Sequence, residues 1–268
     1  MTESKVVLIT GISSGFGKET AKQLANRGHV VYGTLRKVTD VEPKINVLLM
    51  DLTDTESVRL AVKNVLQREG KIDVLINNAG MHLGGPIEMT PAEDFERQML
   101  TGFNGLVHLT QAALPAMRQQ GEGMIINISS IGGLMGLPFQ GFYSAAKFAI
   151  EGFSEALRME VTPFNIRVVV INPGDFRTNN TLNRKNAVNS GPYSDQFHKT
   201  LAVIEKDEKE GWHPEILALK ICKIIENRHP RQRYIIGSPD QKLAVILKRL
   251  LPTSLFRRML GSHYGIVR

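Results

Sequence analysis

With 268 residues, 42% of them hydrophobic and 22% charged, the chain reads as a soluble globular protein long enough to bury a substantial core. A single cysteine, Cys222, excludes an internal disulfide and a cysteine-built zinc site, and no metal centre is expected. The net charge of +7 is confined to one end: from Pro230 onward Arg231, Arg233, Lys242, Lys248, Arg249, Arg257, Arg258 and Arg268 stand against Asp240 alone, so the body is neutral and nucleic acid is not an expected partner.

Residues 1–5 lack the charged-then-apolar pattern of a secretion signal, and no apolar run is long enough to span a bilayer, so a cytoplasmic location is expected. The apolar, β-branched run 5–10 predicts a strand buried on both faces. It stops at Gly11, Ser13, Ser14, Gly15, Phe16 and Gly17, and a helical pattern follows through Ala21, Leu24 and Ala25. Strand, glycine-rich turn and helix aim backbone N–H groups and a helix N-terminus at a phosphate; the alternative is a tight turn needing glycine only for positive φ.

A second strand is predicted over 29–35. Where an acidic side chain would hold the ribose hydroxyl of NAD, the chain has Leu35 followed by Arg36 and Lys37. A planar guanidinium pairs with a 2′-phosphate, so NADP(H) is expected in preference to NAD(H), against the alternative of a solvated basic loop. The third strand, 46–50, is followed by Asp51 and Leu52 and by a helix over 55–69 with Thr53 or Asp54 as its cap. Asp51, at the ligand edge of the sheet, is a candidate for the adenine amino group or for a turn role.

Strand 73–77 opens into Asn77, Asn78, Ala79 and Gly80, whose small residues allow close approach to a ligand while the amides tie adjacent strands. A helix over about 92–119 leads to strand 123–129 and Ser130. Helix 142–162 carries Tyr143 and Lys147, which share one face at i and i+4. An ammonium beside a phenol is expected to lower its pKa from about 10 and fit it for proton transfer. Strand 166–171 ends in Asn172, Pro173 and Gly174; helix 214–228 and strand 233–236 close the sheet.

This alternation predicts one doubly wound parallel α/β sheet of Rossmann type, in a single domain over 1–268. The polar stretch 179–211 interrupts it and is expected to form a lid. Leu182, Tyr193, Phe197, Leu201 and Ile204 offer either an apolar substrate wall or ordinary helix packing. In the basic extension 237–268, Leu243, Ile246, Leu247 and Leu250 share a helical face over 242–251. Packing on the sheet or on a partner subunit is expected ahead of peripheral membrane contact.

Taken together, Thr10-Gly-x-x-x-Gly-x-Gly17, Asn77-Asn-Ala-Gly80, Ser130, Tyr143-x-x-x-Lys147 and Asn172-Pro-Gly174 resemble the short-chain dehydrogenase/reductase family across about residues 5–236. The resemblance implies seven strands, a homodimer or homotetramer, and hydride transfer between a nicotinamide and a carbonyl or alcohol carbon. It makes Tyr143 the general acid/base, Ser130 the partner of the substrate oxygen, and Lys147 the tuner of the phenol and holder of the ribose. Phe176 and Thr178 match positions that meet the carboxamide and phosphates; Asp175 and Arg177 are left unassigned. The chain departs from the family at Gly102, where an asparagine usually supports the proton relay. Asn104 stands two residues on, so either the helix is distorted or another group serves.

A weaker resemblance, to members acting on steroids, retinoids and lipophilic aldehydes, makes a lipophilic carbonyl or alcohol the expected substrate. A 3-oxoacyl thioester reductase and a dinucleotide-sensing interaction protein are the competing readings.

Overall fold

The computed structural model describes residues 3–178 and 183–266. Strands β1 (Val6–Thr10), β2 (Val30–Leu35), β3 (Ile45–Leu49), β4 (Val74–Asn77), β6 (Gly123–Ile128), β7 (Ile166–Pro173) and β9 (Arg233–Ile236) form one sheet in the order β3-β2-β1-β4-β6-β7-β9. All neighbours are parallel. Two short strands, β5 (Leu83–Gly84) and β8 (Lys185–Asn186), pair separately.

Helices α1 (Gly15–Asn26), α2 (Thr55–Glu69), α3 (Ala92–Met99), α4 (Gly105–Gln120), α5 (Gly141–Val161), α6 (Ser194–Glu210), α7 (Pro214–Glu226), α8 (Pro239–Leu250) and α9 (Thr253–His263) connect the strands and extend beyond the last one. Successive side chains of a strand point to opposite faces, so continuous apolar strands need cover on both. Val7, Ile9 and Val31 meet Ala21 and Leu24 of α1 and Leu217, Ile221 and Ile225 of α7. Val6, Leu8, Leu75 and Ile125 meet Val58, Val62 and Val65 of α2, Leu109, Ala113 and Met117 of α4, and Leu157 and Val161 of α5.

The chain runs outward through β1, β2 and β3, then returns to the other side of β1 with β4. This reversal opens a crevice at the carboxyl ends of the central strands. The helix expected over 92–119 is not regular: Leu100–Asn104 forms π-type turns between α3 and α4. No helix among the described residues is long and apolar enough to cross a membrane.

Candidate active site

The carboxyl ends of β1, β2, β4, β6 and β7 open on a cavity of about 1130 Å³. At one end it is lined by Gly11, Ser13, Ser14, Gly15 and Phe16. Ser14 makes no side-chain cap, and the first turn of α1 carries no acid, so the helix's leading N–H groups are left for an anion. Gly17 lies just behind the lining residues, at the start of α1. A Cβ there would stand 2.1 Å from the Gly11 carbonyl oxygen and 2.6 Å from Asn78 Nδ2, so glycine is needed to let the helix start close on the turn. Asn78 Nδ2 fastens that turn by donating to the carbonyls of Thr10 (2.8 Å) and Gly11 (3.2 Å), and Asn77 Nδ2 reaches Asn127 Oδ1 (2.8 Å) on β6.

Arg36, Asp51, Leu52, Asn78, Ala79 and Gly80 line the same end, joined by Lys37 and Arg97. Asp51 Oδ1 accepts from the Thr53 N–H and hydroxyl, both at 2.8 Å. These bonds, then the nearby Arg36 and Arg97, hold its carboxyl below the usual range. The turn role is therefore real, and one oxygen of Asp51 is committed to it. Asp54 caps α2 through the Glu56 N–H at 2.9 Å.

Ser130, Tyr143 and Lys147 meet across the middle of the cavity. The Ser130 hydroxyl stands beside the Tyr143 ring at Gly132 and accepts from the Gly132 N–H at 3.0 Å. Buried Asn172 donates to the Ser130 carbonyl (2.9 Å) and to Glu151 Oε1 (2.6 Å), and Glu151 Oε2 accepts from Arg233 (2.6 Å). This cross-link holds the serine at the sheet edge; the sequence shows Asn172 but not its partners, which are 21 and 42 residues away.

Lys147 Nζ donates to the Ile128 carbonyl at 2.9 Å and lies 5.8 Å from the Tyr143 ring centroid. Burial pulls Lys147 down to about 8, with Glu151 opposing. The expected depression of the phenol does not appear: loss of solvation pushes Tyr143 up to about 12, outweighing the opposing effect of the Ser130 hydroxyl. The residues thus present a protonated phenol beside a lysine that is mainly cationic at neutral pH, an arrangement suited to donating a proton.

The space beside Gly102 is occupied from a neighbouring turn. Gln98, fully buried on α3, lies against Gly102, where a Cβ would come within 2.8 Å of Gln98 Nε2 and 3.4 Å of Ala146 Cβ. Gln98 Nε2 donates to the Met81 carbonyl at 3.0 Å, and its Oε1 is buried without a hydrogen-bond partner among the described residues. The signal was readable in retrospect: a glycine one helical turn after a glutamine, in the segment where π-type turns commonly mark functional sites.

The far end of the cavity is polar and acidic, which the sequence did not announce. His82 stacks on Tyr143 (4.1 Å between ring centroids, 22° between planes), and its Nε2 meets Gln140 Oε1 at 2.6 Å. Burial lowers His82 to about 4, so its ring is neutral. Asp175, Asp207, Glu208 and Tyr264 also line this end. Glu208 forms a buried ion pair with Arg184, and Asp207 meets His263 at 3.0 Å. Asp175, held by Gln241, is pushed up to about 7, first by burial and then by Asp207 and Glu208.

Of the apolar wall expected on the lid, Leu182 lies outside the described residues and Ile204 lines the cavity. Leu201 is half-buried away from the lining, Phe197 packs on Phe139, and Tyr193 donates to Glu88 Oε2. Pro173, Gly174, Phe176 and Thr178 line the cavity between its two ends, with Phe176 edge-on to Phe16 at 5.0 Å.

A family model described as short chain dehydrogenase matches residues 5–189. The chain belongs to the short-chain dehydrogenase family. This short-chain dehydrogenase is 47% identical over 267 residues to a 3-ketodihydrosphingosine reductase of Bacteroides thetaiotaomicron, covering 98% of this chain and 99% of the relative. It superposes on a short-chain dehydrogenase from Streptomyces avermitilis with a TM-score of 0.82 and 30% identity, over 99% of this chain and 98% of the other. A Burkholderia cenocepacia short chain dehydrogenase solved in complex with NADP gives 0.75 and 25%, over the whole of both chains. The protein is thus an oxidoreductase with a Rossmann-type nucleotide-binding fold.

Proposed function

We propose that this short-chain dehydrogenase is an NADP(H)-dependent reductase of a long-chain 2-amino-3-ketone of the 3-ketodihydrosphingosine type. The observation that carries the substrate class is the acidic end of the cavity. Asp175 and Asp207 line the same space as the Tyr143 phenol, beside the Glu208–Arg184 ion pair, and a plain ketone or aldehyde carries no charge that these carboxyl groups could attract. An ammonium next to the carbonyl does, and the 47% identical relative bears a name that denotes such a compound.

The cofactor end fits a nicotinamide dinucleotide by its uncapped helix start and its close-packed glycine turn. Arg36, with Lys37 and Arg97 beside it, supports a 2′-phosphate, hence NADP(H) over NAD(H). When bound, the cofactor supplies the hydride. Ser130 donates a hydrogen bond to the substrate oxygen and orients it. Tyr143, kept protonated by its burial, gives its proton to that oxygen as the alcohol forms. The Lys147 cation stabilises the phenolate left behind and holds the ribose hydroxyls. In this reading the chain works as one oxidoreductase domain, with residues 183–211 covering the substrate end, and the active form is a homo-oligomer.

The test is NADPH oxidation by the purified chain with 3-ketodihydrosphingosine, its analogue without the amino group, a long-chain aldehyde and a 3-oxoacyl thioester, with NADH in parallel. Selective turnover of the amino ketone with NADPH is expected. Faster turnover of the thioester or of the amine-free ketone would overturn the substrate assignment.

A further inference from the structure

The structure turns the apolar stripe of the C-terminal extension outward. On α8, Leu243, Ile246 and Leu250 are exposed, Leu250 by 73%, while Val245 is the residue buried beneath. On α9, Leu255 and Met259 are exposed and Phe256 is buried. The sequence analysis expected the stripe to pack on the sheet or on a partner subunit; of its four residues only Leu247 turns inward, joining the cluster that includes Ile235 of β9, and Leu243, Ile246 and Leu250 are left uncovered. Val245 and Phe256 instead meet Met135, with Leu134 and Leu137 packed alongside. Leu137 and Tyr264 in turn line the substrate cavity, so the outer surface of the helical pair lies about one helix diameter, ~10 Å, from it.

We propose that α8 and α9 dock the protein on an anionic lipid surface. The apolar side chains are flanked by Lys242, Arg249, Arg257 and Arg258, all exposed, and none of the four makes an ion pair among the described residues. With Lys248 that is five cations against Asp240 alone on the two helices. An apolar strip edged by cations matches the boundary between acyl chains and anionic headgroups. A second copy fits poorly, because a two-fold contact would set this cationic face against itself. The surface stands on its own, but the purpose assigned to it rests on the proposed long-chain substrate: docking brings the cavity to the layer in which such a ketone is dissolved.

The experiment is co-sedimentation of the full chain with vesicles of phosphatidylglycerol and phosphatidylcholine in equal parts, against phosphatidylcholine alone, in low and high salt. Sedimentation velocity is run alongside. Binding is expected only with the anionic vesicles and is expected to weaken with salt. Substituting Arg249→Gln, Arg257→Gln and Arg258→Gln should weaken it about fivefold per charge removed. The pair Ile246→Ser and Leu250→Ser should weaken it further without changing the oligomeric mass. Neither variant should lose turnover of a short-chain, water-soluble amino ketone. Equal sedimentation with both vesicle types, or a drop in oligomeric mass in the apolar variant, would overturn the docking surface; the latter would make it an interface between copies. Vesicle binding by a protein that reduces no amino ketone would uphold docking and remove only the substrate reading.

Discussion

The two ends of the cavity are built in opposite ways. The dinucleotide end is supplied by short stretches next to strand ends: Gly11 to Phe16, Arg36, Asp51, and Asn78 to Gly80. The substrate end is made of charged and polar side chains from segments distant in the chain. His82 meets Gln140, Glu208 meets Arg184, and Asp175 is held by Gln241. Local motifs suffice for a ligand held mainly by backbone at the strand ends. Long-range pairs make a site that can be rebuilt without disturbing the sheet. Ser130, Tyr143 and Lys147 stand where the two ends meet.

The sharpest way to separate the ends is to remove the proton donor between them. Tyr143→Phe should lower kcat by about 10³-fold, within the range of general acid catalysis, while NADPH affinity by fluorescence titration stays within about threefold. Loss of NADPH binding in step with kcat would mean that the phenol belongs to the cofactor end.

Cofactor choice tests that end alone. Arg36→Ala should raise KM for NADPH roughly thirtyfold, about 2 kcal/mol for a charge-assisted contact, and leave KM for NADH unchanged. Equal changes for both cofactors would refute the 2′-phosphate reading.

At the other end, Asp175→Asn should raise KM for the amino ketone about tenfold and leave the amine-free ketone unaffected, a split that loss of packing would not produce. The same substitution carries a stability signature. Asp175 sits at about 7 in the folded protein, above the model carboxyl value of 3.8, so the folded state keeps a proton the unfolded state has released. Its contribution is therefore fully present below about pH 4 and is lost as pH rises to about 7. Asp175→Asn should melt higher than the parent at pH 8, and the gap should shrink as pH falls through that window. A gap independent of pH would assign the effect to packing.

The smallest effect concerns the helix between the ends. Gly102→Asn should destabilise the fold by about 1–3 kcal/mol in urea titration, through the overlap with Gln98, and adding Gln98→Ala should recover most of it. Additive losses in the double variant would show that the two positions do not share one space.

Most of the fold and nearly all of the cofactor end were legible before any coordinates, for a physical reason. A strand buried on both faces must be continuously apolar, and a turn that approaches a phosphate must be small, so both leave short-range marks such as Val6–Thr10 and Gly11 to Gly17. At Gly17 the sequence leaves two readings open, because proximity of backbones and exposure to a ligand call for the same glycine, and the structure shows the first.

The serine, tyrosine and lysine were identified by spacing, but the state of the phenol was not. Spacing says that Lys147 is near, whereas burial, which only packing decides, sets the balance at Tyr143 and Lys147. The packing of Gln98 against Gly102 needed the π-type turns at Leu100–Asn104 to be seen, since a regular helix gives no means of telling which side chain lies beside Gly102.

The sequence by itself determined the alternation of strands and helices, the parallel sheet and the glycine-rich edge, because periodicity and turn chemistry are properties of neighbouring residues. Only the tertiary structure decided that the substrate end is acidic and that the apolar stripe of α8 faces outward. Those outcomes depend on which distant segments meet and on which side of an amphipathic helix finds a partner first.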